Sequence, residues 1–404
     1  MSQNGRTLAV FDPSFEFQIC RGSGLSIQLA VALDKSLTEV RTIRPVIDIS
    51  HSSANWVPHR LELNHINFGG LCATILSAAI RTHRTIMKFG AVRFDVYLTQ
   101  LSGMLADASA QTEPGLMLYT SGARTPIFML EGLAKLYAGI HDRKIFAKIG
   151  LQFKVVEDAL GSLDYYDAFA KEFKKDPAIP VSVTAYAEQN ARDAGKRLND
   201  LLGKNSWITA DVDRIAKVRK KLDAVKWLRP KAEIKAMDRF YRKNIKEIQD
   251  FWASVHGEFT DVETQVHSLR RKLRWLSIYP QAVRGCIQLT DGHQNDPDLS
   301  KYLTPEIVNS PYNKLPLRGA NRHLLVLNRD YFLAISWLIA ELGRLKDDGL
   351  RAALIMEASD SSNTSDVVPG DMPTILAKAS SICRVFFDEG ILENLIGGTV
   401  KTGF

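Results

Sequence analysis

Between Thr260 and Tyr279 the chain reads TDVETQVHSLRRKLRWLSIY. His267, Arg270, Arg271 and Arg274 fall at i, i+3, i+4 and i+7, which gathers one imidazole and three guanidinium groups on one helical face. Lys272 lies inside the same run. Guanidinium groups one turn apart can take successive anionic groups, each by a pair of parallel hydrogen bonds. Thr260 and Glu263 have the spacing of a capping box, so a helix is expected to start there. Val266, Leu269, Leu273 and Leu276 take the opposite face and would seat it on a core. No acidic residue follows Glu263 in the stretch. So basic a strip repels itself unless something negative, or water and salt, lies against it.

Three other segments carry similar edges. In 211–229, Arg214, Lys217 and Lys221 lie beside the apolar stripe Ile215, Val218, Leu222 and Val225. In 231–256, Lys235, Arg239, Arg242, Lys243 and Lys246 lie opposite a stripe that runs from Ile234 to Trp252. A weaker basic stripe surrounds His83, with Arg81, Arg84 and Lys88. Each has an ordinary explanation, because any solvated helix is polar on the face away from the core. Glu233, Glu247 and Asp250 lie close to the second stripe. Arg271 could pair with Asp167 or Asp347 of another helix, and His267 could bond a carbonyl.

Two other chemistries leave traces. His141-Asp142, with His83 upstream and Asp164 and Asp167 downstream, has the residue types of a metal-dependent HD-type phosphohydrolase. The pair sits in AGIHDRK, however, which reads as a turn between helices. His51, His59 and His65 cluster without the Cys or carboxylate that would complete a metal-ligand spacing. Nucleic acid is permitted as a partner by charge but has no recognition helix, zinc site or stacking signature behind it.

The 404 residues carry a net charge of +7, unevenly spread. From Lys204 to Arg284 there are 19 Lys and Arg against 10 Asp and Glu, so the remainder is slightly negative. A regional excess points to a polyanionic partner better than a diffuse one does. Four scattered cysteines show neither a metal-ligand spacing nor a disulfide framework, which suits a reducing cytoplasm. The first residues lack the apolar core of a signal peptide, and the longest strongly apolar run, Phe332 to Ala340, is too short to span a bilayer. A cytoplasmic location without membrane contact is the expectation.

The elements that must position these groups read as mainly α. Residues 1–70, with short apolar stretches at Thr7–Val10 and Val46–Ile49, form an N-terminal extension of unassigned role. Helices are expected across 71–105, after Pro126, from Phe146 to about Pro177, over 181–202, 211–229 and 231–256, and from Thr260 to Pro280, which kinks or ends that helix. Residues 106–122 and 290–320 read as loops. HLLVLNRDYFLAISWLIAEL reads as one apolar helix stopped at Gly343, and 358–373 as a linker before a final helix over about 373–395 and a loose tail. Strand signals after residue 70 are almost absent.

Two motifs carry a resemblance. His267 to Arg274, H-x-L-R-R-K-L-R, resembles the basic histidine helix of CHAD domains, the conserved-histidine α-helical domains, and Leu342-Gly343-Arg344-Leu345-Lys346-Asp347 resembles their L-G-x-[VL]-[RK]-D turn. Leu160-Gly161-Ser162-Leu163 echoes the second motif. His83 precedes Gly161 by 78 residues and His267 precedes Gly343 by 76. The copy departs from the pattern at Ile86, where Arg is expected, and at Asp164, one position early. The resemblance covers about 71–355 and implies two pseudo-repeated antiparallel helical bundles, 71–180 and 181–357, with 358–404 as linker and C-terminal helix. It further implies non-catalytic binding of inorganic polyphosphate, with no cofactor, through His267, Arg270, Arg271, Lys272 and Arg274. Arg239, Arg242, Lys243 and Lys246, Arg214, Lys217 and Lys221, and His83 and Arg84 would extend the track. A helical scaffold for a protein partner is the third reading.

Overall fold

A computed structural model describes residues 16–22, 24–30, 89–209, 214–290, 297–362 and 371–402. Two units, Met1–Leu76 and Ser77–Phe404, are described separately. In the first, β1 (Glu16–Gly22) pairs antiparallel with β2 (Gly24–Ala30), from Glu16 opposite Ala30 to Gly22 opposite Gly24. The hairpin lies between the apolar stretches singled out in the sequence, and those stretches, His51, His59, His65, His83 and Arg84 fall outside the described residues.

The second unit is built on helices that start where the sequence offers a start. Pro114, Pro230 and Pro305 open α2 (Pro114–Thr120), α7 (Pro230–Ser254) and α9 (Pro305–Asn309), where the missing N–H costs nothing. Asp142 caps α4 (Arg143–Phe173) by accepting from the Ile145 amide at 2.9 Å. The remaining helices are α1 (Phe89–Ser109), α3 (Arg124–Ile140), α5 (Val181–Lys204), α6 (Arg214–Asp223), α8 (Ser268–Ala282), α10 (Arg329–Ser362) and α11 (Met372–Asp388). Residues expected to be loop, 106–122, instead hold the end of α1 and all of α2. The 211–229 segment is helical only as far as Asp223.

Helix α3 is the axis of the unit, packed against α1, α4, α7 and α8. Its contact with α8 needs a small residue. A Cβ at Gly132 would lie 2.9 Å from Ile278 Cγ2, so the two backbones approach closely there. Around this axis Tyr137, Tyr241, Tyr279, Phe94 and Phe146 are fully buried. A smaller cluster joins Phe169 and Phe173 of α4, Val183 and Ala187 of α5, and Leu354 and Ile355 of α10. Among the described residues no helix is long and apolar enough to cross a membrane.

A three-stranded sheet corrects the reading of the last third. β4 (His323–Leu327) lies between β3 (Ile287–Leu289), parallel to it, and β5 (Ile396–Lys401), antiparallel. HLLVL is therefore a central strand, and the supposed loose tail pairs with it. Leu324, Leu325 and Leu327 are all buried, and an unbroken apolar run of this length looks the same in a buried helix and a buried strand. Gly343 is no stop either, since α10 runs through it to Ser362.

Candidate functional site

The basic helix begins differently from its sequence reading. Asp261, not Thr260, is the N-cap, accepting from the Thr264 amide at 2.6 Å. Gln265, not Glu263, closes the cap from the other side, its Oε1 accepting from the Thr260 amide at 2.6 Å. The first turn, Val262–His267, is a π-turn, with the Val266 amide donating to the Asp261 carbonyl at 3.3 Å. Released from capping, Glu263 accepts from His267 Nδ1, which lies 2.9 Å from both carboxylate oxygens.

From this start, His267, Arg270, Arg271 and Arg274 line one groove of about 840 Å³. Helix α3 adds Arg124 and Phe128, α4 adds Glu157, Asp158 and Asp164, and α10 adds Lys346 and Asp347. The sequence stretch looked unopposed because its acids arrive from α4, some hundred residues earlier in the chain. Seven carboxylates in all face the groove, the others being Glu131, Glu172 and Glu263.

Most of those carboxylates are already engaged. Arg124 pairs with Asp164 and, at 2.9 Å, with Glu157. Lys154 takes Asp158, Lys346 takes Asp347, and Arg351 takes Glu172 at 2.8 Å. Burial, with Glu157 nearby, raises the Glu131 carboxyl above its usual range and so disfavours its charge. No α8 guanidinium group forms an ion pair among the described residues, although Asp347 lies near enough to act on Arg270, Glu157 on Arg274 and Glu131 on Arg271. Arg270 donates from Nε to the Ile339 carbonyl at 3.0 Å, and Arg274 lies over the Phe128 ring at 4.2 Å. Burial, then the charges of Arg270 and Arg124, push Arg274 down to about 10. Arg271 is exposed.

Both L-G-x-L motifs lie within helices rather than turns, Gly161 lining the groove and Gly343 lying against Arg270 beside it. A Cβ at Gly343 would lie 3.1 Å from Arg270 Nε, and one at Gly161 would lie 3.4 Å from an Arg124 guanidinium nitrogen. Each glycine leaves space for an arginine. Arg124 was not singled out by sequence, because it stands alone between Ala123 and Thr125 with no basic periodicity to mark it.

The other basic faces do not join the groove. On α7, Arg242 pairs one turn back with Asp238 at 3.3 Å, and Lys243 and Lys246 pair one turn on with Glu247 at 3.6 Å and Asp250 at 2.9 Å, while Arg239 is exposed. Arg214 lies over Trp207 at 5.0 Å and Lys272 over Phe251 at 5.5 Å. Lys217 and Lys221 are exposed on α6. These are solvated helix faces, and none of these side chains lines the groove.

The HD pair is occupied structurally. Asp142 is the α4 cap, and His141 Nε2 donates to the Lys226 carbonyl at 2.6 Å. Asp167 accepts from Tyr119 at 2.8 Å and from Lys171 at 2.6 Å. Among the described residues no group of three or more His, Cys, Asp and Glu is placed to hold a metal ion. Comparisons with protein-family models, with curated proteins and with solved structures gave no match to this chain.

Proposed function

We propose that the groove binds a compact phosphate-rich anion, such as a short inorganic polyphosphate, without catalysing a reaction on it. The observation that carries this reading is the asymmetry of its charges. Five of the seven carboxylates are ion-paired with Arg or Lys and a sixth, Glu263, accepts from His267, whereas Arg270, Arg271 and Arg274 form no ion pair among the described residues. Arg270 and Arg274, half-buried beside the exposed Arg271 and with Arg274 driven down to about 10, gain from any anion that enters. A phosphate chain supplies a bidentate acceptor at every unit, so guanidinium groups a helical turn apart can each find one.

This reading is narrower than a track over three helices, because the α7 cations are paired along their own helix. It also recasts the CHAD-like duplication. In our reading the counterpart of Arg270 is Arg124, so that α3 with α4 and the π-turn–α8 with α10 form the two related halves. The support is the matched seating of Arg124 on Gly161 and Arg270 on Gly343.

Calorimetric titration with tripolyphosphate and with long-chain polyphosphate, at low and moderate salt, tests the proposal. Three contacted charges give a slope of about −2 for log affinity against log salt, where a multi-helix track gives a much steeper one. No binding at low salt, or binding unchanged in Arg271→Gln/Arg274→Gln, sinks it.

A further inference from the structure

A second cavity, of about 390 Å³, opens at the start of α7, away from the groove and made of other residues. Its size lies in the range of small-molecule sites. The charge around it is one-sided. Arg93, Arg229, Lys231 and Arg322 line it against a single carboxylate, Glu233.

That carboxylate is spent at the floor. Glu233 lies 3.0 Å from Arg93 and accepts from Tyr137 at 2.7 Å, and both members of the ion pair are almost fully buried. The other Arg93 nitrogen donates to Cys286 Sγ at 2.6 Å. Burial pushes the Cys286 thiol up to about 11, so the floor is a neutralised ion pair beside a neutral thiol.

The mouth has no such compensation. Arg229 and Lys231 are exposed and have no carboxylate partner among the described residues. Between them Pro230 opens a helix of 25 residues whose N-cap, Arg229, supplies no side-chain acceptor. The positive end of that helix adds to the same field. Phe89 and Ile234, with the exposed Ala320 at the edge, give the cavity an apolar lining.

We infer that this pocket is a binding site for a small organic anion, its apolar body inside and its single carboxylate or phosphate head between Arg229 and Lys231 at the mouth. An apolar interior with a few placed polar groups is the usual build of such a site. Inorganic phosphate would leave the interior unfilled, and a neutral ligand would leave the cations unmet. The site is independent of the polyphosphate groove.

Isothermal titration with phenyl phosphate, benzoate, phenol and inorganic phosphate tests this. Phenyl phosphate or benzoate should bind, and which of them binds more tightly identifies the head group. Arg229→Glu/Lys231→Glu, both at exposed positions, should lose at least tenfold in affinity with an unchanged melting temperature. Arg271→Gln/Arg274→Gln should bind phenyl phosphate as the parent does. The inference is overturned if neither organic anion binds, if phenol or inorganic phosphate binds as well as they do, or if the charge-reversed variant binds normally.

Discussion

Gly343 is the seat of Arg270: a Cβ there would stand 3.1 Å from Nε, the atom that donates to the Ile339 carbonyl. The glycine is in mid-helix, where it costs about 0.5–1 kcal/mol against alanine. Its return is a guanidinium group held flat against α10 and turned into the groove.

Gly343→Ala sets those two effects against each other, and denaturant unfolding should find it within about 1 kcal/mol of the parent. Gly343→Leu must expel Arg270 and should lose about 1–3 kcal/mol through overpacking. Tripolyphosphate affinity should fall in both variants, more steeply in the leucine. Full affinity in Gly343→Leu would show that Arg270 does not need its seat.

Arg274 should show a trade between stability and binding. Its folded-state pKa is lowered, so its charge disfavours folding throughout the range below about 10, where it is protonated in both states, and the penalty lifts only as pH rises toward its unfolded value. Arg274→Met keeps the packing on Phe128 and removes the charge. Thermal unfolding at neutral pH should be unchanged or raised, while calorimetry should find anion affinity reduced about tenfold. A clear drop in melting temperature would mean that the charge is satisfied in the native state.

The Arg93–Glu233 pair predicts a severe single defect and a mild double one. Glu233→Ala leaves a buried guanidinium without its acid and should cost about 3–5 kcal/mol in denaturant unfolding. Arg93→Met/Glu233→Leu removes both charges and should recover most of that loss. Equal losses in the single and double variants would assign the effect to packing alone.

Acid should loosen the start of the basic helix. Hydrogen bonds from Thr264 hold the Asp261 carboxyl below its ordinary value. Its stabilising effect is therefore present above the unfolded-state pKa and is lost as pH falls through that value and on through the depressed one. Asp261→Ala should cost about 1 kcal/mol at neutral pH and should show a shallower loss of stability below pH about 4. Parallel pH profiles for parent and variant would remove Asp261 from this role.

Legibility followed how local the determining interactions are. Helices α4, α5 and α7 stood within a few residues of their sequence reading, because amphipathic periodicity and proline starts are written along the chain. The strand at His323–Leu327 is hidden by its unbroken apolar run, Leu324 to Leu327, which erases the period that separates strand from helix. His267 and the three α8 arginines are brought together by spacing alone. What spacing could not show was the opposite wall. Glu157 and Asp164 reach the groove through tertiary packing, and Arg124 answers them from a third helix. Lys243 and Lys246 were over-read for a related reason, since their partners lie one turn along the same face.

The order of the strands has a consequence for synthesis. β4 receives β3 on one side from residues already made, but its other neighbour, β5, is among the last described residues of the chain. Roughly 70 residues separate them, so at ribosomal speeds one edge of an apolar strand stays open for on the order of ten seconds. During that interval β4 is a template for any passing extended chain. The nascent protein is most exposed to mispairing after its helices have formed, and a chaperone that shields strand edges would act on it late.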